Sequence, residues 1–204
     1  VWVDVKGESG HAGRPGDGVN AIYGAAPLIA AFEELGWELL QSTHHPLLGP
    51  ASLVVTTVQG GTALNVVPES CSLTLDRRLL PGEDDSQALE QIRQRIDEVG
   101  KKRPEVEFEI SKSNKVLPAE TSSEELVGLV EAVSRDVLGR SVKAEGFSAT
   151  CDMTYIEHQG GIPTLILGPG DLKYAHQPDE WVPLEELDQA AEIYYQVCRR
   201  WLTR

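Results

Sequence analysis

The 204-residue sequence predicts an α/β protein in two parts: a ferredoxin-like βαββαβ unit, then the closing portion of an α/β sheet domain. Three observations predict it. Strand-like alternation and helix-like periodicity follow one another as strand, helix, strand, strand, helix, strand over about the first 112 residues. The polar, proline-bearing stretch KSNKVLPAETSS then separates two well-patterned regions and sets the expected domains at residues 1–113 and 114–204. The second region offers two short strand-like runs and three helical ones, too few strands for a sheet domain of its own.

In order along the chain, residues 1–7 alternate as a short strand, and the loop ESGHAGRPGDG follows. A helix is expected from about Asn20 to Leu35 with Ile22, Ala26, Ile29 and Phe32 on its inner face. Pro27 inside it should bend that helix or delay its start. SLVVTTVQ and CSLTLDRRL are strands joined by the turn-rich GGTALNVVPES. DDSQALEQIRQRIDEVG is an amphipathic helix turning Leu89, Ile92, Ile96 and Val99 inward, with Gly100 as its C-terminal cap. EVEFEIS alternates and completes the first unit.

In the second region, Ser122 and Glu125 form a capping box for a helix carrying Leu126, Leu129, Val130, Val133 and Val137 and ending at Gly139. A short strand around VKAEGF, a short helix around DMTYIEHQ and a buried strand PTLILG come next. A last helix from Pro183 aligns Leu184, Leu187, Ala191, Tyr194, Cys198 and Trp201 on one seam.

Charge and cysteine usage narrow the function. Eighteen basic against 32 acidic residues leave a formal charge of −14, which argues against a nucleic-acid partner because phosphate binding needs a basic surface. The apolar runs fall well short of the ~20 residues that span a bilayer, and VWVDVKGESG has no signal-peptide pattern. Cys71, Cys151 and Cys198 are widely spaced and odd in number, as expected of free thiols in a reducing, cytoplasmic setting.

Two histidines sit where chemistry is expected. His176 lies in the loop LGPGDLKYAHQPDEWV, directly after an apolar run, where α/β folds place ligand sites. Gly168 and Gly170 let main-chain N–H groups face an anion, and Asp179 or Glu180 would orient the imidazole through its second N–H. The alternative is a surface-loop histidine, since zinc takes three or four protein ligands and one histidine is no site. His11, in GHAGRPGDGVNAI, is either a turn residue or a donor to a developing oxyanion.

GESGHAGRPGDGVNAI, GGTALNVVPESCSLTLDRRLLPGED and GFSATCDMTYIEHQGGIPTLILGPGDLKYAHQPDEWV, in that order, resemble one family over almost the whole chain. It is the dinuclear zinc amidohydrolase and exopeptidase family of acetylornithine deacetylase, succinyl-diaminopimelate desuccinylase, aminoacylase and carboxypeptidase G. The resemblance implies a ferredoxin-like lid that forms a homodimer, followed by the C-terminal part of an α/β/α zinc-peptidase-like catalytic domain. It implies two Zn²⁺ per intact subunit, with Co²⁺ or Mn²⁺ as substitutes, and hydrolysis of an N-acyl amino acid or dipeptide-like amide by a metal-activated water.

By the same resemblance, His176 matches a metal ligand, and His11 matches a lid histidine that polarises the scissile carbonyl in the partner's site. Asn65 matches a lid asparagine near the substrate, and Arg78 an arginine for the substrate carboxylate, a task its planar fork suits. Gly168, Pro169 and Gly170 match main chain that lies against the substrate. Local alternatives stand beside these. Asn65 also suits the turn before Pro68, and Arg77 and Arg78 point to opposite faces of a regular strand, with Arg77 sharing the face of Leu73, Leu75 and Leu79. Asp152 resembles the family's aspartate before the last short helix but suits an N-cap, while His44, His45 and His158 match nothing. The family's other ligands and its general-base glutamate precede the lid, and Glu33 and Glu34 lie within the lid helix. The chain is therefore expected to be an inactive fragment of a hydrolase; the alternative is a non-catalytic dimerisation and ligand-binding module.

Overall fold

A computed structural model describes residues 1–42 and 44–203. They form two compact units, Val1–Pro118 and Ala119–Arg204. In the first unit, β1 (Trp2–Lys6), β2 (Gly10–His11), α1 (Ala21–Ser42), β3 (His44–His45), β4 (Gly49–Pro50), β5 (Ser52–Gly60), β6 (Val66–Val67), β7 (Ser70–Arg78), α2 (Asp85–Lys102) and β8 (Glu107–Lys112) follow in order. The main sheet runs β5–β7–β1–β8 with every pair antiparallel, which is the ferredoxin-like order the sequence predicts. Two short ribbons, β2 with β6 and β3 with β4, extend from it.

Period-2 alternation places Val3 and Val5 of β1 and Cys71, Leu73 and Leu75 of β7 on one face, all buried. Burial raises the Cys71 thiol pKa above its ordinary value. α1 covers that face, and its buried stripe is Ala21, Gly24, Ala25, Leu28, Phe32, Leu35, Gly36 and Leu39. Of the four inner residues predicted for this helix only Phe32 is fully buried; Ile22 and Ala26 face solvent and Ile29 is half-buried. The stripe sits one residue away because small residues let the helix approach the sheet. A Cβ on Gly24 would lie 2.7 Å from Val106 Cγ1, and one on Gly36 would lie 2.7 Å from the Leu53 carbonyl oxygen.

Pro27 does not delay α1, which starts at Ala21 after Asn20 caps the N–H groups of Ile22 and Tyr23 through Oδ1 at 2.9 and 3.2 Å. Proline lacks the N–H that would bond Tyr23 four residues back. Arg103 Nη1 donates to that freed Tyr23 carbonyl at 2.8 Å. In α2, Asp84 is the N-cap, and hydrogen bonds from the Ser86 hydroxyl and N–H hold its carboxyl below the usual carboxylate range. The inner face is Ala88, Ile92, Ile96 and Val99, with Leu89 half-buried. The helix passes Gly100 and stops at Arg103, whose N–H reaches the Val99 and Gly100 carbonyls, because Pro104 follows.

The second unit carries α3 (Glu124–Leu138), α4 (Met153–Gly160) and α5 (Leu184–Leu202), with α3 packed on α5. The cap of α3 is Ser123, not Ser122: its hydroxyl accepts from the Leu126 N–H at 3.2 Å. Gly139 ends α3 in the left-handed conformation, as expected. Among the described residues no strand follows Lys112, so neither VKAEGF nor PTLILG is a strand here. A strand needs a neighbour to bond, and these residues have none. Segment 163–168 is instead held by side chains: Glu157 Oε1 accepts from the Thr164 N–H at 2.7 Å, and the Tyr194 hydroxyl donates to the Leu167 carbonyl at 2.7 Å. In α5 the buried residues are Ala190 and Ile193, while Leu184, Leu187, Tyr194 and Trp201 of the predicted seam are exposed.

Candidate functional site

The β2–β6 ribbon assembles the first group of predicted residues. His11 pairs with Val66, and the Asn65 carbonyl accepts from the Ala12 N–H at 2.9 Å. This places His11 and Asn65 side by side on an exposed ribbon. His11 Nδ1 accepts the Gly13 N–H at 3.0 Å, so in the neutral ring the proton sits on Nε2. The imidazole thus turns an N–H donor outward, the form that polarises a carbonyl. A cavity of ≈ 30 Å³ beside the ribbon, lined in part by Ser9, Thr62, Val66 and Glu69, has room for a water but not a substrate.

Arg77 and Arg78 close β7 and part company. Arg77 faces the core side, 6% exposed, with Nη2 on Glu83 Oε1 at 2.5 Å and Nη1 on the Arg78 carbonyl at 2.5 Å. Its Nε is buried without a partner among the described residues. Glu83 Oε2 also accepts the Leu80 N–H at 2.7 Å, so the pair ties down the turn after β7. Arg78 projects to the open face, 56% exposed, and its Nε and Nη2 meet the Asp76 carboxylate at 2.8 and 2.9 Å. Ser70 to Arg78 is eight strand steps, about 27 Å at ~3.4 Å each, so Arg78 stands at the far end of β7 from the His11–Asn65 ribbon.

In the second unit, Gly170 adopts φ +89° and its N–H donates to Glu186 Oε2 at 2.8 Å. That amide of the Gly168–Pro169–Gly170 loop is thus directed at a carboxylate. His176 follows a short 3-10 turn, Leu172–Tyr174, capped by Asp171. The Lys173 ammonium and N–H hold the Asp171 carboxyl below its usual range, and Asp171 in turn raises Lys173. His176 is the one non-glycine residue with positive φ, 61°, among the described residues, a conformation that needs support from its surroundings. Support comes from Glu180 Oε2, which accepts the His176 main-chain N–H at 3.0 Å; the Tyr174 and Trp181 rings, on either side of it in sequence, lie with centroids 4.7 Å apart. Glu180 therefore shapes the loop through the backbone, not through the imidazole as the sequence suggested. Asp152 precedes α4, but its side chain makes no capping bond.

No group of three or more His, Cys, Asp or Glu able to hold a metal ion exists among the described residues. His176 is one candidate ligand, and this chain's described residues do not by themselves fit a metal ion. Asp76 and Glu186 are contacts the sequence reading passed over. Asp76 was within reach of the alternation rule, being two residues from Arg78 on one strand face; Glu186 is sixteen residues from Gly170, and nothing local marks it.

The first unit is an antiparallel sheet in ferredoxin-like order with a histidine-bearing ribbon, and the second is a helical unit with a constrained histidine loop. Residues 1–104 match the family described as the peptidase dimerisation domain, M20_dimer. The chain belongs to this M20 superfamily of dinuclear-zinc amidohydrolases and exopeptidases. It is 30% identical over 193 residues to acetylornithine deacetylase of Myxococcus xanthus, covering 91% of this chain and 48% of the relative. It is 27% identical to that of Vibrio atlanticus, covering 98% and 51%. The chain thus spans about half the length of these relatives. The fold also matches a tripeptidase from Staphylococcus aureus (TM-score 0.71, 21% identity, 96% of this chain and 49% of that one). An M20 family metallo-carboxypeptidase from Sulfolobus solfataricus gives TM-score 0.70 at 15% identity, over 96% and 57%.

Proposed function

We propose that this chain is part of a zinc-dependent amidohydrolase that cleaves an N-acyl amino acid or dipeptide-like amide, of the deacetylase, desuccinylase or carboxypeptidase type. The observation that carries the reading is the similarity to acetylornithine deacetylases along nearly the whole chain. The His11 geometry supports it, because its Nε2–H is oriented outward as a carbonyl-polarising donor should be. In the intact protein zinc would supply an activated water, with Co²⁺ or Mn²⁺ as alternatives, and His176 would be this chain's contribution to its ligands. Asn65 would hold the substrate beside His11, Arg78 would receive its carboxylate, and the Gly168–Pro169–Gly170 main chain would line it.

Residues 1–113 serve as the lid in this reading and residues 114–204 as part of the catalytic domain, with a homodimer formed through the lid. A dipeptide-sized substrate spans about 7 Å when extended, whereas His11 and Arg78 stand at opposite ends of a strand several times longer. One lid therefore does not supply both to a single substrate. A dimer can, with Arg78 from one copy and His11 and Asn65 from the other. A cytoplasmic setting fits the three free thiols; no helix among the described residues is long and apolar enough to cross a membrane.

Zinc analysis after gel filtration, with hydrolysis of N-acetyl-L-ornithine and a panel of N-acyl amino acids, tests this reading. The 204-residue chain should retain substoichiometric zinc and no activity, while the full-length enzyme should hold two zinc ions and hydrolyse the panel. Two retained zinc ions on the shorter chain, or a full-length protein with neither zinc nor activity, would overturn it. The second outcome would leave the non-catalytic binding module.

A further inference from the structure

We propose that Asp76 is a positioning residue that presents Arg78 to a carboxylate ligand. The inference rests on the reading that Arg78 receives the substrate carboxylate, and concerns how the guanidinium is held ready. Asp76 and Arg78 are two residues apart on β7, and period-2 alternation puts both on the open face of the sheet. The carboxylate meets Nε and Nη2, the donors on one edge of the guanidinium, at 2.8 and 2.9 Å. Nη1 has no partner among the described residues, so the Nη1–Nη2 edge, a complete two-donor fork, remains open.

The backbone beneath is also held, since Arg77 Nη1 donates to the Arg78 carbonyl. Arg78 is thus braced at its main chain by Arg77 and at its head by Asp76. With 56% and 42% of the two side chains exposed, the ion pair adds little to stability; its effect is to restrict the rotamers of a long side chain before a ligand arrives. Competition between Asp76 and the ligand for one fork is the opposing arrangement, and the free edge speaks against it.

Two measurements test the proposal. In the full-length enzyme, with N-acetyl-L-ornithine and its carboxamide as paired substrates, Asp76→Ala should raise KM for the carboxylate substrate about two- to twelve-fold, the effect of ordering one flexible side chain. Its kcat, and the KM for the carboxamide, should stay near wild type, and Asp76→Glu should recover much of the loss. Arg78→Ala separates the two readings. If it leaves the preference for the carboxylate substrate unchanged, the role of Arg78 itself fails. If it abolishes that preference while Asp76→Ala has no effect, or lowers KM, the positioning role alone fails.

The second measurement needs no activity. By NMR of the 204-residue chain, the Arg78 Nε–H should exchange more slowly than that of exposed Arg14, and lose this protection in Asp76→Ala. Asp76→Asn, which preserves side-chain shape, serves the same comparison should the alanine variant not fold. Equal exchange of Arg78 and Arg14 in the unsubstituted chain would overturn the proposal.

Discussion

Pro27 shows how one residue's deficit is met by a distant one. It leaves the Tyr23 carbonyl without its helical donor, and Arg103, eighty residues away in sequence, supplies the hydrogen. Arg103 also pairs with Glu105 at 2.6 Å, which steadies the guanidinium where the chain leaves α2. Removing Arg103 should cost about 1 kcal/mol, the net value of one intramolecular hydrogen bond. The cost should shrink in a Pro27→Ala background, because the restored N–H serves Tyr23 itself. A double-mutant cycle in urea checks this, and additive effects would show that Arg103 acts elsewhere. At the same scale, the opposite facing of Arg77 and Arg78 was legible from alternation alone. The partner of Arg77 was not: Glu83 lies beyond a turn, and strand periodicity says nothing of what a turn brings back.

Within elements, strand phase was easier to read than helix phase. Cys71, Leu73 and Leu75 alternate with polar residues, so β7 has one apolar face and no rival register. α1 has apolar residues on nearly every side, and its phase is set by where the sheet comes closest, at Gly24 and Gly36. Large apolar residues drew the sequence reading to Ile22 and Ile29, while the close approach selected the smallest side chains. Two glycine substitutions separate packing from propensity. Gly36→Ala gains helix propensity but pushes a methyl against the Leu53 carbonyl, for a net loss of about 1–2 kcal/mol. Gly128→Ala, in α3 with open space around it, should gain about 0.5–1 kcal/mol. Equilibrium denaturation of both variants checks the pair; equal effects would remove close packing as the reason for the phase of α1.

For the whole molecule, the two units differ in how completely they satisfy themselves. The first has a continuous core from Val3 to Val106 beneath two helices. In the second, the buried residues are few, and Ile162, Ile166, Leu184 and Trp201 are exposed. The pattern of PTLILG was legible as a strand, but pattern specifies a strand only where a neighbour supplies the ladder. Amides of residues 165–168 should accordingly exchange with solvent faster than those of Val3, Val5, Leu73 and Leu75 in this chain. Equal protection in a proven monomer would contradict that. Local motifs marked His11, Asn65, Arg78 and His176 as candidates; their spacing was not legible, because sequence order does not tell that the β2–β6 ribbon bearing His11 leads into one end of β7 while Arg78 closes the other.

The central claim is a proposal that rests on the family resemblance: His11 serves the partner's site while His176 serves its own. Subunit exchange in the full-length enzyme tests it most directly, using His11→Ala and His176→Ala, each inactive alone, with differently tagged subunits to verify mixing. In a mixed dimer, the His11→Ala subunit keeps its metal ligands and borrows an intact His11, while the other site lacks both. Random pairing makes about half the dimers mixed, each with one working site of two, so about 25% of wild-type activity should return. If His11 acted within its own subunit, both sites of every mixed dimer would stay broken, and no activity would return despite verified exchange.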